Sequence, residues 1–159
     1  MKEYDARHNV RRSLISAAVL IACWYLMEII HECGHVLGAH GQVDGVSIPL
    51  VGISSTSYSS GNPAIPALAS GPLFGALVPL VLLLLPRSTW WGRYAWFFCG
   101  FCLIANGVYL AAGVTMSAGD TADLIARGVP IAALVATGTI LTIAGFTVWH
   151  YNGRWAGLA

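Results

Sequence analysis

The sequence predicts an all-α membrane protein of about four transmembrane helices, with one short β-prone loop after the first. Three observations carry that expectation. Hydrophobic residues make up 57% of the 159 residues and charged residues only 9%. A water-facing surface normally needs about 25% charged residues, so most of this surface is expected to face lipid. The charges are also placed so as to leave apolar runs of spanning length. Between Arg12 and Arg87 the only Asp, Glu, Lys or Arg residues are Glu28, Glu32 and Asp44, and between Arg93 and Arg127 only Asp120 and Asp123. Finally, aromatic residues crowd the ends of those runs. Trp90, Trp91, Tyr94 and Trp96 mark one interface, and Trp149, Tyr151 and Trp155 another, as in aromatic belts at headgroup depth.

The length suits one transmembrane domain over residues 1–159. The first span is expected over residues 13–37. Its basic start and apolar run imitate a signal peptide, but no small-residue cleavage site follows, and it reads as a retained helix. Residues 41–62 contain no Lys or Arg and are rich in Gly, Ser and Thr. Alternation within residues 43–53 predicts a short strand or hairpin.

The second span, over residues 66–85, opens on Pro66, where a missing N–H costs nothing. Its Gly71-x-x-x-Gly75 permits close helix approach. Pro72 and Pro79 predict a kink that leaves backbone groups available near a cavity. The third span, over residues 94–112, carries Cys99, Cys102, Asn106, Tyr109 and Gly113 at helical spacing. Cys99-x-x-Cys102 lies in an apolar run and reads as a pair of inert buried thiols. Asp120 and Asp123 follow, with a short helix expected over residues 121–127, and the fourth span covers residues 130–149. Each span has about 20 residues or slightly more, enough to cross ~30 Å of hydrocarbon.

Of the eight Lys and Arg residues, seven fall on one side of this four-span arrangement and only Arg127 on the other. The positive-inside rule puts both termini in the cytoplasm. The net charge of +1 argues against a nucleic-acid partner, which needs a basic patch to meet phosphates.

Residues 31 to 35 read His31-Glu32-Cys33-Gly34-His35, the His-Glu-x-x-His pattern of zinc hydrolases. On a helix the two imidazoles lie one turn apart on one face, and Glu32 stands beside the open coordination position. Such residues are costly in a membrane helix, on the order of ~3 kcal/mol for a charged group, and mark a site. A catalytic zinc with three protein ligands needs one more. His31 and His35 lie near the end of the first span, and Asp120 follows the third span on the same side, which makes it the best third ligand and Asp123 the runner-up. Glu28 shares the face of His31 and is expected to orient a ligand His through a hydrogen bond, to stay protonated in the bundle core, or to pair with a polar group on another helix. Asn106 is expected either to hydrogen-bond a substrate carbonyl or to join helices.

On these residues the chain resembles the site-two-protease family of intramembrane zinc metalloproteases, especially its compact bacterial members. The resemblance rests on the His31–His35 motif with Gly34 before the second His, the Gly/Ser-rich segment after it, Ala69-Ser70-Gly71-Pro72 opening the next span, and Gly119-Asp120 after the third. The chain departs from the family pattern at Asn106, followed by Gly107-Val108-Tyr109 without a Pro, and at Asp120, followed by Thr121 rather than Gly. It also departs in orientation, since the charge rule places the site toward the outer leaflet and family members usually place it toward the cytoplasmic one. The resemblance implies an integral protein of the bacterial inner membrane that hydrolyses a peptide bond of a membrane-protein substrate within or beside the bilayer. It implies zinc as cofactor, held by His31, His35 and Asp120, with Glu32 as the catalytic base and Asn106 binding substrate. The implied substrate is another protein's membrane helix, locally unwound, with the β-prone segment offering it a strand edge. The alternative expectation is a non-catalytic subunit of a larger membrane assembly that retains the zinc-site scaffold.

Overall fold

The computed structural model describes residues 2–116 and 119–155, with side chains described over residues 10–116 and 119–153. Among the described residues, four helices are long and apolar enough to cross a membrane, and a two-stranded sheet follows the first. The first helix, α1 (Lys2–Gly38), is longer than the span expected, and its apolar portion is Val10–Gly38. No Gly or Pro interrupts it before Gly34. It stops where His40 and Gly41 take positive φ of 48° and 85°, which breaks the helical hydrogen-bond ladder.

The strands are β1 (Val43–Ser47) and β2 (Ser55–Tyr58), antiparallel, with Val43 opposite Tyr58 and Ser47 opposite Ser55. The second strand thus lies beyond the 43–53 window read as β-prone. Between the strands, Leu50, Val51 and Ile53 are 81–93% exposed. The Tyr25 hydroxyl donates to the Leu50 carbonyl, and Tyr25 sits near the middle of the apolar portion of α1. The hairpin therefore folds back alongside α1 to mid-span depth. Backbone groups at such depth need protein partners. Tyr25 supplies one, and Glu28 supplies another by accepting from the Ser54 amide at 3.3 Å and from its hydroxyl.

The second helix, α2 (Ile65–Leu77), has Pro in its first turn and continues as a 3₁₀ segment over Val78–Leu84. At Pro79, where the sequence predicts a kink, the structure shows this change of helix type. Pro79 cannot donate to the α-helical ladder, and its carbonyl instead accepts from the Cys99 thiol at 2.8 Å. Pro72 stays inside regular helix. The third span is α3 (Trp90–Met116), the short helix is α4 (Gly119–Ala126), and the last span is α5 (Ile131–Trp155). Cys99 and Cys102 are fully buried free thiols. Trp149 does not act only as a belt residue. Its indole N–H donates to the Phe97 carbonyl at 2.8 Å, and its ring stacks on Phe97.

The helices pack antiparallel in the order α1, α2, α3, α5. The first two meet where Gly34 and Gly38 face Ser70. The α3–α5 pair meets at Gly107 and Gly138. A Cβ on Gly107 would lie 2.7 Å from the Gly138 carbonyl oxygen, so backbone packs on backbone. Gly107→Val is expected to overpack this seam and cost about 1–3 kcal/mol. A lowered thermal midpoint in detergent checks it, and an unchanged midpoint would mean the two helices do not meet there. Leu68, Leu103, Leu110, Leu124, Leu134 and Leu141 form the core beneath the site.

Candidate metal centre

The site lies at the end of the bundle where α1 and α3 finish and α2 begins. His31 and His35 face α2 and α3 from the last turns of α1, and are 9% and 2% exposed. Their Nε2 atoms are 3.1 Å apart. Asp120, in the first turn of α4, places Oδ2 3.1 Å from each of them. The three atoms therefore form a triangle of nearly equal sides. Asp123 is exposed and outside that triangle, although it lines the same cavity.

The other ring nitrogens define what these atoms are. The His35 Nδ1 lies 2.8 Å from the Ala67 carbonyl oxygen. A carbonyl only accepts, so Nδ1–H donates and Nε2 carries the lone pair in the neutral ring. The Asn106 amide nitrogen donates to the Cys102 carbonyl at 3.0 Å, which turns its Oδ1 toward His31 Nδ1 at 2.9 Å. His31 is oriented in the same sense. Two lone pairs and a carboxylate oxygen converging at 3.1 Å repel one another unless positive charge lies among them. A shared proton satisfies one pair, whereas a divalent cation satisfies all three.

The donor set fits zinc. With bonds of about 2.0–2.1 Å to His nitrogen and carboxylate oxygen, tetrahedral ligand atoms lie roughly 3.3–3.4 Å apart, close to the spacing found. Three protein ligands leave one position open, as in catalytic zinc sites.

Glu32 is 3% exposed and accepts from the Thr56 hydroxyl on β2. A ligand atom of its carboxylate lies within 4.8 Å of those of both imidazoles, beside the Asp120 triangle. Glu28 does not reach His31. It holds Ser54, so the expected hydrogen bond to a ligand His is replaced by the expected alternative, a polar partner elsewhere, here in the hairpin loop rather than on a helix. Asn106 is 1% exposed, with its oxygen on His31 and its nitrogen on Cys102. It thus orients a ring and joins α1 to α3.

Sequence reasoning missed how α2 seats the site. The His35 ring lies on Gly71, where a Cβ would fall 2.7 Å from His35 Cδ2 and nearer still to other ring atoms. The Asn106 amide lies on Gly75 in the same way, 2.7 Å from both Oδ1 and Nδ2. The sequence alone predicts close helix packing at Gly71-x-x-x-Gly75. The motif accommodates two polar side chains instead.

The triangle opens on a cavity of about 810 Å³ between α1, the hairpin and α3. Its polar end holds Glu28, Glu32, Tyr58, Tyr109 and Asp123, and its apolar flank Trp24, Met27, Phe101, Ile104 and Val108. Burial, then the charges of Asp120, Glu32 and Asp123, push the Tyr58 phenol up, so it stays a donor, 3.4 Å from the Ala67 carbonyl. Compared with known proteins, the chain matches no family model, no curated protein and no solved structure.

Proposed function

We propose that the chain is an intramembrane zinc metalloprotease, as its resemblance to the site-two-protease family implies. The observation that carries the reading is the convergence of His31 Nε2, His35 Nε2 and Asp120 Oδ2 at 3.1 Å, with Glu32 beside it on a cavity that reaches apolar surface. His31, His35 and Asp120 would hold zinc. Bound there, zinc would polarise the scissile carbonyl and lower the pKa of a bound water toward neutrality. Glu32 takes the proton of the attacking water and delivers it to the leaving amine as the C–N bond breaks. Asn106 and the Ala67 carbonyl keep the two imidazoles in the ligating tautomer.

The substrate is a membrane-protein segment that must unwind to expose its backbone, and an unwound backbone in lipid needs shelter. β2 lines the cavity and, among the described residues, is paired along one edge only, by β1. That supports addition of a substrate strand at β2 rather than anywhere in residues 43–53. The distribution of Lys and Arg supports cytoplasmic termini, with the site toward the other face, and the family resemblance implies a bacterial inner membrane.

The test is the metal content of the detergent-purified protein beside His35→Ala and Asp120→Ala. About one zinc per chain in the wild type, lost in both variants, is the expected result. Zinc lost only in the His variant would remove Asp120 from the site. A folded wild type that takes up no supplied zinc would favour the non-catalytic subunit.

A further inference from the structure

The geometry points to Tyr109 as the positioning residue of Asp120, the side chain that sets where the third ligand stands. This rests on the reading of His31, His35 and Asp120 as a metal site. Tyr109 lies on α3, three residues after Asn106 and on the same face. Its phenol oxygen accepts from the Asp120 backbone N–H at 2.9 Å and faces Asp120 Oδ2 at 3.3 Å, to which it donates. That oxygen is the one shared with both imidazoles. The Tyr109 carbonyl in turn accepts from the Thr121 hydroxyl at 3.3 Å. One residue of α3 thereby holds the first turn of α4 by three bonds and fixes both the backbone and the carboxylate of Asp120.

A second observation supports the assignment independently. Gly119 takes φ of +63°, which a side chain rarely adopts. The place its Cβ would fill is taken by the Tyr109 hydroxyl. Glycine before Asp120 is thus required both by the turn and by the approach of this phenol. Tyr109 also has no free proton with which to act on a substrate carbonyl, because its hydroxyl is directed at Asp120. It acts through Asp120 and not on the reacting atoms.

The experiment uses the full chain in detergent, loaded with Zn²⁺ or Co²⁺ against a competing chelator. Tyr109→Phe is expected to weaken metal binding about 10–100-fold, the usual effect of removing a group that orients a ligand, and to alter the visible absorption of bound Co²⁺. Gly119→Ala, which keeps the phenol but displaces it, is expected to do the same. A purely structural tyrosine would lower the thermal midpoint while metal affinity and the Co²⁺ spectrum stayed as in the wild type. If wild type binds metal and both single variants bind it equally tightly, the positioning role is overturned and the metal site stands. If Tyr109→Phe fails to fold, Gly119→Ala decides by the same readout. A folded wild type that binds neither ion overturns the metal reading and this role with it.

Discussion

Glu32→Gln is expected to lower peptide-bond hydrolysis about 10²–10⁴-fold, the range contributed by a general base, while fold and metal content stay as in the wild type. The reason is local. Glutamine has nearly the shape of glutamate, and its amide oxygen can still accept from Thr56, so the tie between α1 and β2 is kept. Glutamine cannot take a proton from water. The three atoms that converge at 3.1 Å belong to His31, His35 and Asp120, so the substitution leaves them untouched. Cleavage of single-span model substrates in vesicles, with zinc content measured on the same preparation, checks it. Undiminished cleavage would remove Glu32 from the reaction. Lost zinc would make Glu32 a ligand, and a folded, zinc-loaded pair without cleavage in either form would favour the non-catalytic subunit.

Gly71→Ala is expected to weaken metal binding by on the order of 100-fold, at the upper end for a residue that orients a ligand. The added methyl would overlap the His35 ring, with Cδ2 at 2.7 Å and other ring atoms closer. The ring lies between α1 and α2 and is 2% exposed, so it must turn and give up its bond to the Ala67 carbonyl. Gly75→Ala is expected to act more weakly, because it displaces Asn106 and reaches His31 through that amide. Gly153→Ala is the control, since a Cβ there meets nothing within 4 Å. Chelator competition on the three variants measures the order. Wild-type affinity in Gly71→Ala would mean that α2 does not seat His35.

Much of the protein was legible without coordinates. The four spans follow from hydropathy, which is a property of each segment alone. The placement of His31 and His35 on one face follows from helical periodicity. Even Asp120 is reachable from the sequence, because the two crossings between His35 and Asp120 return the chain to the same side. The ends of elements were less legible. Strand β2 lies past the predicted window because its alternation of Ser and Thr carries no hydropathy contrast.

What only the tertiary structure decided is how side chains far apart in sequence share the site. Glu28 was placed on the right face of α1, but its partner, Ser54, lies 26 residues away on a loop that returns along the helix. Asn106 is expected on the bundle-facing stripe, but its partner there, His31, lies 75 residues earlier. The glycines Gly71 and Gly75 looked the same as any close-packing pair. Hydropathy and periodicity specify which face of a helix is buried. They do not specify the axial register at which two helices meet, and a shift of one turn, about 5.4 Å, would exchange every such partner. That register is set by the packing of all the helices together.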